Sequence, residues 1–191
     1  AVYTRTDGSA TNRTVFANSG TDGYVFNGGA GTLRFYTNAT QHMSIDSTGA
    51  VSKPNQPAFL VQPSSDQTNI ANTDTIVFDS EIFDQNGDFA SNTFTAPVTG
   101  KYQLSFNVRV DNMDEDATYF RLKLVASNRT IQPTIYDIRG LSSDPVYWFF
   151  SQSVLIDMDA NDTAYLEFNQ YGGSTQADVR LHSFFSGYLA C

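Results

Sequence analysis

Lys101-Tyr102-Gln103-Leu104-Ser105-Phe106-Asn107-Val108-Arg109-Val110 is the stretch that decides the fold class. In an extended chain Tyr102, Leu104, Phe106, Val108 and Val110 fall on one side, and Lys101, Gln103, Ser105, Asn107 and Arg109 on the other. Unbroken period-two alternation marks an antiparallel strand with one face in a core. Pro97, which has no N–H to give to a ladder, belongs to the approach to this strand, and Gly100 permits a tight passage just before it. Working outward, Thr75–Phe78, Tyr119–Val125, Val146–Ile156, Thr163–Phe168 and Val179–Leu189 read as further strands. Turn chemistry at Asn86-Gly87, Asn161-Asp162 and Gly172-Gly173 separates them. No stretch has a helical period. The expectation is an all-β chain, a sandwich or jelly roll whose alternating aromatics fill the space between two sheets about 10 Å apart.

A length of 191 residues suits one sizeable domain, or one domain with a smaller appendage. Charged residues are only 16% of the chain, but 15 Phe and 10 Tyr can drive collapse, which argues against full disorder. No apolar run approaches the ~20 residues of a helical membrane span, which argues against membrane insertion. The net charge of −9 argues against a nucleic-acid partner, because phosphate binding rests on Lys and Arg. A single cysteine, Cys191, rules out a disulfide scaffold. The chain opens on Ala1 with strand-and-turn character, which predicts a piece of something longer.

Residues 1–52 differ from the rest. Their strands are very short (Tyr24–Phe26, Leu33–Tyr36, Met43–Asp46) and are interrupted by Gly8, Gly20, Gly23, Gly28, Gly29, Gly31 and Gly49. Such a segment cannot bury a core alone and becomes stable by repetition or by association with copies of itself. Residues 53–57, Lys-Pro-Asn-Gln-Pro, read as a linker, which leaves 58–191 as the main domain.

Within that domain, Phe94-Thr95-Ala96-Pro97-Val98-Thr99-Gly100-Lys101-Tyr102-Gln103-Leu104 resembles the F-T-x-P-x-x-G-x-Y-x-F motif of complement globular heads and related tumour-necrosis-factor-like jelly rolls. Phe83–Phe89 resembles the hairpin that precedes the motif. Val154-Leu155, Asn161-Asp162 and Tyr165-Leu166 resemble the leucine strand, Gly-Asp turn and next strand, and Phe185-Ser186-Gly187-Tyr188-Leu189 resembles the terminal F-S-G-F-L strand. Leu104 stands where the family usually has Phe and Asn161 where it usually has Gly, while residues 111–146 match poorly. The resemblance implies a jelly-roll β-sandwich head that forms a homotrimer. No Gly-X-Y stalk precedes it. Instead, Thr32–Asn38 and Met43–Val51 resemble shaft segments before the tips of bacteriophage tail fibres, which implies a short trimeric β-rich fibre shaft over 1–52.

Catalysis finds little support. His42 and His182 are the histidines, and His182, in an apparent strand with Leu181 and Phe184, reads as structural. No G-x-S-x-G, H-E-x-x-H or phosphate loop occurs, and Cys191 has no base partner. Asp111–Asp116 packs four acids into six residues, which suits calcium but reads more simply as a solvated acidic loop. Some heads of the family bind calcium through a Tyr-Asp near the trimer apex. Tyr136-Asp137 falls near that place, so the resemblance raises calcium as a cofactor with Asp137 as its ligand. Aromatic faces beside carboxylates and an arginine suit sugar recognition. Tyr136, Arg139, Asp144 and Tyr171 are therefore the expected receptor-binding residues, with Tyr147 and Trp148 assigned to the following strand. The expected function is the tip of a trimeric phage fibre on the virion surface, next to other fibre or capsid proteins. It would attach to a host cell-surface glycan or protein by multivalent binding. The alternatives are a capsid decoration or trimerisation clamp without receptor binding and, more weakly, a small glycan hydrolase.

Overall fold

A computed structural model describes residues 14–19, 22–27 and 30–191. Gly8, Gly20, Gly28 and Gly29 of the expected shaft lie outside the described residues. The chain divides into two compact units, Ala1–Asn55 and Gln56–Cys191. In the first, β1 (Thr14–Ser19) and β2 (Asp22–Asn27) pair antiparallel, and β3 (Leu33–Thr37), β4 (Thr40–Ile45) and β5 (Val51–Ser52) form an antiparallel sheet in that order.

The second unit is a jelly-roll sandwich. Its strands are β6 (Ala58–Gln62), β7 (Asp74–Thr75), β8 (Ser80–Asp84), β9 (Phe89–Ala90), β10 (Thr93–Thr95), β11 (Gly100–Asp111), β12 (Tyr119–Ala126), β13 (Arg129–Tyr136), β14 (Trp148–Met158), β15 (Thr163–Tyr171), β16 (Asp178–Val179) and β17 (Phe184–Leu189). One sheet runs β14-β11-β17-β6-β8, with β16 beside β11. The other runs β13-β12-β15-β10-β9, with β7 beside β15. From β10 onward the chain passes repeatedly from one sheet to the other, so the inward faces of both build one core.

The alternation in β11 sets the centre of that core: Tyr102, Leu104, Phe106, Val108 and Val110 are all buried. Phe59 stacks on Phe94 (4.8 Å between centroids) and meets Phe185 edge-on (5.1 Å). The Tyr102 hydroxyl donates to the Val98 carbonyl (2.7 Å), which satisfies the one polar atom this ring brings inside. Two glycines are explained by close approach. A Cβ on Gly187 would lie 2.5 Å from Leu104 Cδ2, and one on Gly100 would lie 2.6 Å from Leu189 Cδ1.

The strands depart from sequence expectation in several places, among them the unexpected β1 and β6. Arg129–Tyr136 is a strand that was not anticipated. β14 begins at Trp148 and continues to Met158. Thr75–Phe78 contributes only the short β7, after which Ile76, whose N–H donates to the Leu166 carbonyl (3.0 Å), and Phe78 bury outside any strand. The run Val179–Leu189 is broken, because Ser183 N–H donates to the Arg180 carbonyl (2.9 Å) and closes a turn. His182 therefore lies in an exposed turn and not in a strand.

The outer face of the β12–β15 sheet carries charge that is internally matched. Lys123 Nζ donates to Glu167 Oε1 (2.6 Å), as does Asn169 Nδ2 (3.0 Å), while Arg121 Nε donates to Asn169 Oδ1 (2.9 Å). Burial pushes the Glu167 carboxyl up, but these donors outweigh it and hold the group below its ordinary 4.5. Stability from a depressed carboxyl is complete above the unfolded-state value and fades as pH falls through the folded-state value. Glu167→Gln is thus expected to cost about 2 kcal/mol at neutral pH. It should also flatten the acid limb of the stability profile below pH 4.5. Urea midpoints across that range check both.

Candidate functional site

The loop after β13 and the first residue of β14 frame a cleft of about 330 Å³, lined by Asp137, Ile138, Arg139, Gly140, Leu141 and Trp148. That volume lies at the low end of small-ligand sites. Trp148 occupies an inward position of β14 and is half-buried, and the Tyr136 ring meets it edge-on at 5.2 Å and Phe150 at the same distance. Ile138 is buried beneath the loop, whereas Arg139 and Leu141 stand at its exposed rim. The cleft thus has an aromatic and aliphatic lining with one charged pair on its edge.

That pair is Arg139 and Asp137. Arg139 Nε and Nη2 donate to Asp137 Oδ1 (3.0 Å) and Oδ2 (2.6 Å), and the Arg139 backbone N–H adds a third bond (3.1 Å). These bonds hold the Asp137 carboxyl down at about 2. A cation at Asp137 would share a carboxylate whose two oxygens already accept from Arg139.

Three other acids lie close together: carboxylate oxygens of Asp114, Glu115 and Asp144 are all within 4.8 Å of one another. N–H donors meet much of that charge. Asp114 accepts from the backbone of Ser174 and of Asp116 (2.9 Å), and Asp144 accepts from Glu115 N (3.0 Å) and Gln176 Nε2 (2.7 Å). The Ser174 bond above all keeps the Asp114 carboxyl low. Asp144 is thereby a brace between the 111–118 loop and the 172–177 loop.

The expected receptor residues take different places. Arg139 lines the cleft, Tyr136 supports Trp148 from the core side, Asp144 braces the loops, and Tyr171 is not in the cleft lining. The Tyr171 ring is 59% exposed and lies parallel to Tyr119 (5.5 Å, 8°), with the Arg121 guanidinium 5.6 Å from the Tyr119 ring. Ile138, Gly140 and Leu141 are the cleft residues that sequence reasoning missed, and Trp148, assigned there to the following strand, lines the cleft as well. A tryptophan heading an alternating strand carries no mark of serving both core and cleft.

A second surface feature is the outer face of the β14-β11-β17-β6-β8 sheet. Antiparallel register puts Leu155, Gln103, Tyr188 and Ala58 in one row and Ser153, Ser105, Ser186, Leu60 and Phe83 in the next. Across β14, β11 and β17 no charge interrupts this face between the Lys101–Asp157 row and Arg109. Gln103 Nε2 and the Ser105 hydroxyl each meet Ser153 Oγ at 2.8 Å. β14 is the edge strand, yet its outward Phe149 and Leu155 are 54% and 53% exposed. Asn107 Oδ1, on the same side of β11, is buried without a donor.

Residues 58–190 match the C1q domain family. Among solved structures, the chain is similar to the globular domain of zebrafish complement 1qA protein, at a TM-score of 0.52 and 19% identity over 71% of this chain and 98% of that one. It is also similar to murine APRIL at pH 8.5, at a TM-score of 0.48 and 8% identity over 70% of this chain and 98% of that one. The former likeness shows the fold. No curated protein matches in sequence.

Proposed function

From residue 58 to residue 190 the chain belongs to the C1q domain family, and from that premise we propose that it is a homotrimeric, non-catalytic binding head at the tip of a phage fibre, where it attaches the virion to host surface polysaccharide. The observation that carries the trimer is the uncharged outer face of the β14–β11–β17 sheet. A long edge strand with outward Phe149 and Leu155 is an association hazard unless another surface covers it. Asn107 Oδ1, buried and lacking a donor, is consistent with a face completed from outside the chain. On the opposite sheet Lys123 and Glu167 are paired with each other, while Thr134 Oγ1 and Gln170 Oε1 are likewise buried without a partner, so the outward apolar side chains of β14 are what distinguish the first face.

Ligand contact is assigned to the Trp148–Arg139 cleft. A half-buried indole with an arginine on its rim suits the apolar face and hydroxyls of a sugar ring. Three equivalent clefts on one particle raise avidity without new contacts. The fibre and phage elements rest on the resemblance of Thr32–Asn38 and Met43–Val51 to fibre shafts. This reading requires no calcium at Asp137, whose oxygens accept from Arg139.

Labelled protein applied to cells of a host-strain panel tests it. Wild type is expected to adsorb to a subset of strains. Arg139→Ala should weaken each site about tenfold, a typical loss for an anchoring residue, with the oligomeric mass unchanged. Failure of the wild type to adsorb to any strain would sink the attachment reading. Unchanged adsorption of Arg139→Ala would move the contact away from this cleft.

A further inference from the structure

The sheet β3-β4-β5 has a specified geometry but, among the described residues, no buried core, with Leu33, Met43 and Ile45 only half-buried. Register sets Leu33 opposite Ile45, Phe35 opposite Met43, and Ile45 opposite Val51. Directly opposed residues share a face, so these five apolar side chains form one surface, while Arg34, Ser44 and Ser52 form the other. A register shift between Phe35 and Tyr36 ends the pattern. None of the described side chains from 25 to 55 is buried, and Phe35 and Val51 are 40% and 57% exposed. The polar groups at the turn, by contrast, are satisfied locally. Asp46 Oδ1 accepts from Thr48 N (2.8 Å), Thr48 Oγ1 (2.7 Å) and Ala50 N (3.0 Å).

A small sheet with an uncovered apolar face is not stable by itself in water. We propose that its cover is the same face of two further copies of this chain, so that residues 33–52 acquire a hydrophobic core only between chains. The inference rests on the homotrimeric head. Two features commit it to that occupant. The face bears no charge, which suits the meeting of identical chains that each carry a net −9. Asn55 is also followed directly by Gln56, the first residue of the head unit. A trimeric head therefore delivers three tethered copies at an effective concentration on the order of millimolar.

Limited trypsin digestion of the full chain, followed by mass spectrometry and paired with light scattering, is the test. Arg34 lies inside β3, and the only other basic residue in the sheet segment, Lys53, precedes Pro54 and resists trypsin. The wild type is expected to be trimeric and slow to cut at Arg34. Phe35→Asp should be cut at least about tenfold faster, as expected when the open form becomes more populated, with its mass still that of three chains. Leu155→Arg, which disrupts the head association face, should become monomeric and equally open at Arg34. A wild-type trimer cut at Arg34 as fast as Phe35→Asp would overturn this proposal and leave the head reading intact. A Leu155→Arg monomer still protected at Arg34 would overturn it too, because the cover would then come from within one chain. A monomeric wild type would overturn both.

Discussion

Light scattering of the Leu155→Arg variant is expected to report a single 21.0 kDa chain where the wild type reports three. The side chain points away from the core: its neighbour Ile156 is buried, whereas Leu155 is half exposed on the outer row with Gln103 and Tyr188. The substitution therefore leaves the sandwich intact and acts on association alone. A guanidinium there enters a face whose nearest acid, Asp157, is already paired with Arg129 at 2.5 Å. An unpaired charge taken out of water costs several kcal/mol even after relaxation, and the three-fold particle would bear that cost at each interface. Ile135→Arg is the matched control. It is equally exposed but lies on the outer side of the other sheet, and the mass should stay that of three chains. Leu155→Arg that remained trimeric with a native circular dichroism spectrum would place the interface on another surface.

The fold was legible wherever local chemistry and tertiary demand coincide. The period-two pattern of 101–110 put five residues inside, and all five are buried. Asn161, read as a left-handed substitute for glycine, has a φ of 74°. Gly100 and Gly187 are glycines because the partners they face leave no room for a Cβ. β13 was not legible, because Pro133 interrupts a weak alternation. A proline demotes a run to an edge strand, and β13 is the edge of its sheet. The candidate site was read only in pieces. Asp114 is tied to Ser174 and Glu115 to Asp144 by bonds that span long stretches of sequence. Nothing local to Tyr171 shows that its ring lies on Tyr119. Residues were chosen as ligand contacts because aromatics, acids and an arginine were dense in that segment. The folded chain spends most of them on bracing one another.

Gly187→Val should destabilise the head by about 3 kcal/mol, at the upper end of the usual range for overfilled cores. The strand β17 lies between β11 and β6, so its backbone cannot slide away from either neighbour without breaking a ladder. A Cβ at this position would meet Leu104 Cδ2 at 2.5 Å, Phe59 Cε1 at 2.8 Å and the Gln103 carbonyl oxygen at 3.2 Å. Leu104 can rotate, but Phe59 is locked by stacking on Phe94 and Phe89, so the clash is only partly relieved. Valine adds two methyl groups to that crowding. The proposed trimer would couple unfolding to dissociation, so the measurement belongs at fixed protein concentration, with urea midpoints compared at constant slope. Gly187→Ala with Leu104→Ala is the diagnostic pair. Truncating Leu104 alone opens a cavity that costs about 2–5 kcal/mol, and the new Cβ occupies part of the space released. The double variant should therefore be more stable than the sum of the two single changes implies, by about 1 kcal/mol. Strict additivity would mean that the backbone of β17 had moved instead, and the rigidity attributed to the sandwich would have to be abandoned.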